Sequence, residues 1–238
     1  MSRTDDAVES FLAFAGGLGK KFVLLAFEMT NDRSPQSVVA GAFRGVHSLA
    51  GEASVIAEDE PRFYNLGEFC GDFETFLDGL RNGRTELNPR NRAVAANALY
   101  ALHDDIEKLQ NGGTTDRRGD MLADFKGEQA GAVVVGGRGN ALTFEIRKNL
   151  LRPGDVADFN KILWKYLRVC PLDAMVVFDL FWESRLSIFA VGCIVGALGG
   201  AAKIAVIRPP DDMYLVFKSH RFEEFGIPVR NSLEECWP

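Results

Sequence analysis

Residues 99–146 read LYALHDDIEKLQNGGTTDRRGDMLADFKGEQAGAVVVGGRGNALTFEI, and the spacing of apolar positions changes along this stretch. Up to Gln110, the residues Leu99, Leu102, Ile106 and Leu109 recur every three or four positions, the period of a helix. Beyond it, Ala132-Val-Val-Val135 and Ala141-Leu-Thr-Phe-Glu-Ile146 are short β-rich runs flanking Gly136-Gly-Arg-Gly139, which reads as a hairpin with its turn in the glycines. Residues 113–129 between them are polar, glycine-bearing and weakly patterned, so they read as a linker. The expected division is a helical domain over 1–112, the linker 113–129, and an α/β domain over 130–238.

Toward the N-terminus the helical period continues. A first helix through Val8–Met29 stops at Asn31-Asp32-Arg33-Ser34-Pro35. A second carries Val39, Phe43, Val46, Ala50, Ala53 and Ala57 on one face, and Glu58-Asp59-Glu60-Pro61 turns the chain. A third shows Phe63, Leu66, Cys70, Phe73, Leu77 and Leu80 at helical spacing, and the fourth follows Pro89. Four amphipathic helices with short connections predict an up-down four-helix bundle. Toward the C-terminus, a helix near Val156–Val169 is followed by alternating strands and helices. The strands are Met175–Leu180, Lys203–Ile207 and Pro228-Val229; the helices are Leu186–Leu198, Asp211–Arg221 and one from Ser232. That alternation predicts a mostly parallel sheet with crossover helices.

Charge and cysteine usage narrow the function classes. The net charge is −6, and residues 1–126 hold 20 acids against 14 bases with no basic stripe, which argues against a nucleic-acid partner. The opening MSRTDDAVES has no apolar signal core, and the longest uncharged run, Leu186–Ala202, is 17 residues rich in Gly and Ala. A helix packed under a sheet accounts for it better than a bilayer span, so no membrane association is expected. Cys70, Cys170, Cys193 and Cys236 are too scattered for a metal knuckle or disulfide framework and read as buried thiols in a reducing cytoplasm. Gly16-Gly-Leu-Gly-Lys20 lacks the spacing of a phosphate loop, and Trp164, Trp182 and Trp237 read as packing or interface residues rather than a ligand box.

Of three histidines, His103 beside Asp104-Asp105 reads as part of a solvated face, and His220 as a late helix residue. His47 differs. It follows the buried position Val46, so it lies at the rim of the apolar stripe, and Ala50 and Gly51 three and four residues on leave its face unscreened. If the second and third helices fold back around Glu60-Pro61, residues whose numbers add to about 121 lie at equal height. His47 then faces Glu74, and Ala50 meets Gly71 in a small-on-small contact. A carboxylate accepting from one ring nitrogen fixes the tautomer and leaves the other nitrogen as a nucleophile.

Phe43-Arg-Gly-Val-His47-Ser-Leu-Ala-Gly51-Glu-Ala53 resembles the F-R-x-x-H-S-x-K-G-x-A signature of histidine-containing phosphotransfer (Hpt) domains, above all those that begin chemotaxis kinases of the CheA type. Phe73-Glu74-Thr-Phe-Leu-Asp-Gly-Leu-Arg-Asn-Gly83 is similar to the family's third-helix segment. The resemblance covers residues 8–110. It implies that His47 is the phosphoacceptor and Glu74 orients it. The family's lysine three residues after the histidine is Ala50 here, and Arg44, three residues before, is the candidate substitute for that phosphoryl contact.

Residues 131–238 resemble, in layout more than motif, the STAS domain of anti-sigma-factor antagonists, with Met175-Val-Val-Phe-Asp179-Leu180 at its V-x-D-L strand. The switch loop departs from the family: Ile188 stands at the position of the phosphorylatable serine, with Ser187 one residue earlier. Together these resemblances imply a cytoplasmic phosphorelay protein. It exchanges a phosphoryl group between His47 and a response-regulator aspartate, takes phosphate from a histidine kinase or a receiver, and docks a second regulator on the STAS-like half. It needs no cofactor of its own, Mg²⁺ residing on the receiver, and no metal site is expected. The competing reading is a degenerate Hpt–STAS scaffold that binds signalling partners without transfer.

Overall fold

A computed structural model describes residues 3–31, 36–127, 132–181, 184–197, 203–219 and 221–236. The chain divides into two compact units, Met1–Leu87 with Val94–Glu128, and Asn88–Ala93 with Gln129–Pro238.

The first unit is built from α1 (Arg3–Asn31), α2 (Gln36–Asp59), a single 3₁₀ turn (Pro61–Phe63), α3 (Tyr64–Arg81), most of α4 (Pro89–Gln110) and α5 (Gly119–Lys126). The turn expected at Asp32–Pro35 lies outside the described residues. The apolar stripes point where their period places them: Val39, Val46, Leu49 and Ala53 of α2 and Phe63, Leu66, Phe73 and Leu77 around α3 are completely buried. Small residues set how closely the helices approach. A Cβ on Gly45 would fall 2.9 Å from the Phe22 ring and one on Gly41 3.3 Å from Leu25, so α2 lies tight and antiparallel on α1. α1 also runs antiparallel to α4, with Gly16 against Gln110 and Gly19 against Ile106.

Two expectations need correction here. Within the segment read as a linker, Gly119–Lys126 is a helix of the first unit. Its Phe125 ring packs among Phe69, Phe73 and Phe76 with centroids 5.2–5.6 Å apart, a contact worth more than the weak local pattern that hid it. His103, expected on a solvated face, is only 25% exposed, and its neighbour Asp105 is 1% exposed and accepts two 2.7 Å hydrogen bonds from Arg118, holding that guanidinium proton more firmly than usual.

The second unit is a five-stranded sheet in the order β1-β2-β3-β4-β5, comprising β1 (Val133–Arg138), β2 (Ala141–Ile146), β3 (Met175–Leu180), β4 (Lys203–Ile207) and β5 (Val229–Arg230). β1 and β2 are antiparallel and every later pair is parallel. The crossovers carry α6 (Pro153–Leu167), α7 (Ile188–Gly196) and α8 (Asp211–Ser219). Right-handed crossovers that always step the same way keep their helices on one face. On that face Phe144 and Phe178 stack at 5.4 Å and meet Tyr166 and Phe159 of α6 edge-on. On the opposite face Ala141, Met175, Val177, Ala205 and Ile207 are covered by Leu233 and Cys236 of the C-terminal segment, where a 3₁₀ turn (Glu234–Cys236) replaces the expected helix.

The hairpin turn is not in Gly136–Gly139 as expected. Gly136 and Gly137 belong to β1, and the chain reverses at Gly139-Asn140, with Gly139 at φ +55°. The reason is packing: a Cβ on Gly136 would lie 2.7 Å from the Thr143 hydroxyl, and one on Gly137 would overlap the Asn88 amide. That amide belongs to Asn88–Ala93, a segment grouped with the sheet although the period of α4 gives no hint of it. Asn88 donates to Gly137 O at 3.3 Å and caps α4 by accepting from Asn91 N, while Arg90 Nε donates to Val135 O at 3.2 Å.

Candidate functional site

α2 and α3 form the site. Their antiparallel register brings His47 to Glu74 and Ser54 to Gly67, and the residue numbers add to 121 in both cases. His47 Nδ1 lies 3.0 Å from Glu74 Oε1, with the imidazole 67% and the carboxylate 28% exposed. An ionised carboxylate only accepts, so in the neutral imidazole this contact puts the proton on Nδ1 and leaves Nε2 its lone pair. Gly51, one turn on, has nothing within 4 Å of where a Cβ would stand, so the helix beside the imidazole is bare. An uncommitted nitrogen on an open helical face can be reached by a second macromolecule, which is what a group-transfer nucleophile requires.

The immediate surroundings are more organised than the sequence indicated. Phe43, one turn before His47, stacks on the imidazole with centroids 5.9 Å apart and planes 7° apart. The Arg81 guanidinium lies 3.9 Å from the Phe43 ring centroid and donates to Asp78 Oδ1 at 2.6 Å. Asp78 also pairs with Arg84. Arg44 is exposed on the same stripe of α2 as His47, and among the described residues its guanidinium is in no ion pair. Ser48 donates its hydroxyl to the Arg44 carbonyl at 3.0 Å.

The position after His47 that the Hpt resemblance reserves for lysine holds Ala50, whose methyl is turned inward and 9% exposed. Gly71, at equal height on α3, is exposed, and a Cβ there would meet nothing within 4 Å. The backbones of α2 and α3 come close at Gly67, where a Cβ would lie 3.5 Å from Ser54 Oγ and 3.7 Å from Ser54 N.

In the second unit, Ser187 is the N-cap of α7, its hydroxyl accepting from Ala190 N at 3.3 Å, and Ile188 is 60% exposed in the next position. Sequence reading missed Arg208. At φ +53°, it occupies the left-handed region that a branched or long side chain rarely adopts, and its guanidinium makes a two-pronged bond to Asp179 at the C-terminal end of β3. No pattern around Arg208 signals this, because its partner Asp179 is 29 residues away in sequence.

Of the four thiols expected to be buried, only Cys70 is fully so; Cys170, Cys193 and Cys236 are partly exposed. Burial, reinforced by Asp105 and Glu74, pushes Cys70 far above the ordinary thiol range, and burial pushes Cys170 up to about 12. Among the described residues no group of three or more His, Cys, Asp or Glu could hold a metal ion. His103 sits with Nε2 3.5 Å from Glu107, and Trp164 is 40% exposed on α6. His220, Trp182 and Trp237 lie outside the described residues.

The membrane expectation rested on Leu186–Ala202, but among the described residues the helix long and apolar enough to cross a membrane is α1, over Asp6–Asn31. A third of its most apolar window is buried, with Phe22, Ala26 and Met29 completely so. The chain matches no family model, no curated protein and no solved structure.

Proposed function

We propose that this chain is a cytoplasmic phosphorelay protein in which an Hpt-like four-helix bundle carries the phosphoacceptor His47 and a STAS-like α/β domain docks a second regulator. The observation that carries the reading is the His47–Glu74 pair, 3.0 Å apart, with Nε2 in no hydrogen bond among the described residues and on an open helical face. The antiparallel contacts of α1 with α2 and α4, and of α2 with α3, support the bundle. The sequential strand order with α6, α7 and α8 as crossovers supports the second assignment, which is the weaker because Ile188 occupies the switch-serine position.

In the forward step Nε2 attacks the phosphorus of an aspartyl phosphate on a response-regulator receiver. An N–P bond forms as the acyl O–P bond breaks, and the aspartate leaves as a carboxylate. The imidazole becomes cationic, and Glu74, holding the Nδ1 proton, stabilises that charge. The receiver contributes Mg²⁺ and most of the charge neutralisation. Arg44, exposed on α2 three residues before His47, is the candidate on this chain for contact with the phosphoryl oxygens. The reverse step, or loading by a histidine kinase, uses the same nitrogen.

The test is phosphoryl uptake by the full chain from a panel containing an active histidine kinase with ATP and several phosphorylated receivers. Uptake that is alkali-stable, acid-labile and absent in His47→Gln supports the reading, and uptake unchanged in His47→Gln overturns it.

A second reading, a scaffold that binds signalling partners without transfer, is favoured by one observation: Ala50 brings no cation to the site. It predicts an inert wild type that Ala50→Lys activates.

A further inference from the structure

We infer that Phe43 and Arg81 are positioning residues for His47, a brace by which the end of α3 fixes the direction of Nε2. This rests on the phosphotransfer reading for its use but not for its geometry. A hydrogen bond to Glu74 restrains one edge of an imidazole that is two-thirds in water, where solvent competes for the same donor and acceptor. A second restraint is needed if Nε2 is to present one direction to an incoming phosphorus.

Phe43 supplies it. Four residues before His47, it lies on the same helical face, and its ring runs within 7° of the imidazole plane at 5.9 Å. Phe43 is itself held. The Arg81 cation sits 3.9 Å from its centroid, and Asp78 fixes that cation at 2.6 Å. In the antiparallel register Arg81 lies beyond Phe43 on the side away from His47, so Arg81, Phe43 and His47 follow one another along the groove. Glu74, Asp78 and Arg81 are spaced four and three residues apart, one face of α3. That face therefore holds the imidazole twice, at its edge through Glu74 and on its plane through the Arg81–Phe43 stack.

The brace explains how a site without the lysine at position 50 can still orient its nucleophile. It aligns the ring and brings no charge to the phosphoryl oxygens, and alignment of a reacting pair contributes to rate independently of charge stabilisation.

The experiment uses the full chain and two readouts. Long-range ¹H–¹⁵N NMR of His47 reports which ring nitrogen carries the proton. Phosphoramidate, which transfers its phosphoryl group to an imidazole nitrogen with loss of ammonia, reports reactivity without any protein partner. Wild type is expected to show the Nδ1–H tautomer and phosphorylation at Nε2. Phe43→Leu keeps apolar bulk but lacks a flat face. It should shift the tautomer toward a mixture, slow phosphorylation roughly tenfold and give both regioisomers. Phe43→Tyr should restore wild-type behaviour, and Arg81→Gln should give a smaller loss, about threefold.

A wild-type tautomer spectrum and rate in Phe43→Leu overturns the brace, whatever the protein partners do. If Phe43→Leu shifts the tautomer while wild type accepts nothing from any kinase or receiver, the brace stands and the phosphorelay reading falls.

Discussion

The two units each present a hydrogen-bonded acid–base pair at their surface, and the pairs differ in what they leave over. Asp179 and Arg208 satisfy each other: both carboxylate oxygens accept from the guanidinium, the carboxylate is 10% exposed, and the arginine is held at φ +53° to make the fit. His47 and Glu74 share one bond, and the second imidazole nitrogen faces solvent. The first arrangement is closed on itself and serves the fold; the second keeps a lone pair for chemistry. An ion pair marks a candidate site when it orients a group without exhausting it.

The comparison can be broken most decisively at His47. His47→Gln should remove all acid-labile phosphoryl uptake while changing unfolding free energy by no more than about 0.5 kcal/mol, since the side chain is exposed. Chemical denaturation alongside the uptake assay checks both halves of that statement. Next in size is Asp105→Ala, which leaves the Arg118 guanidinium partly buried without its partner. The first unit should lose about 3 kcal/mol in a urea titration. Asp179→Ala should cost less, about 2 kcal/mol, because Arg208 is half exposed and can turn to water. Uptake at His47 should be unaffected, and a loss of uptake there would mean that the second pair is more than a structural tie.

Glu74→Gln sharpens the contrast from the other side. The neutral amide can accept or donate, so the tautomer is no longer fixed, and uptake should fall roughly tenfold with the fold intact. The smallest effect belongs to Ala50→Lys, which adds a cation near His47 and should raise uptake by a few-fold. A fall would show that the inward-turned Ala50 site cannot place an ammonium on the surface.

How far the site was legible follows from which contacts are local. The second and third helices announced themselves because their apolar residues recur at the helical period over four or more turns. Folding them back around Glu60-Pro61 was enough to pair His47 with Glu74. The same arithmetic did not single out Ser54 against Gly67, because equal height along two helices does not fix the rotation of each about its axis. The brace on His47 was invisible for a similar reason: Arg81 reads as an ordinary helix-end cation until Phe43 is seen beneath it. α5 was missed because it is eight residues long and owes its place to one ring, Phe125, inserted among three others.

By itself the sequence determined the change from a helical to a strand–helix alternation, the bounds of β2, β3 and β4, and the pairing of His47 with Glu74. These depend on periodicity and a single chain reversal, both local properties. Only the tertiary structure decided that Asn88–Ala93 joins the sheet and that the hairpin reverses at Gly139-Asn140. It also decided that Arg208 adopts a left-handed backbone to close on Asp179, and that α3 grips the Phe43–His47 stack from across the groove. Each of those is a contact between residues distant in sequence, whose geometry exists only after the elements have packed.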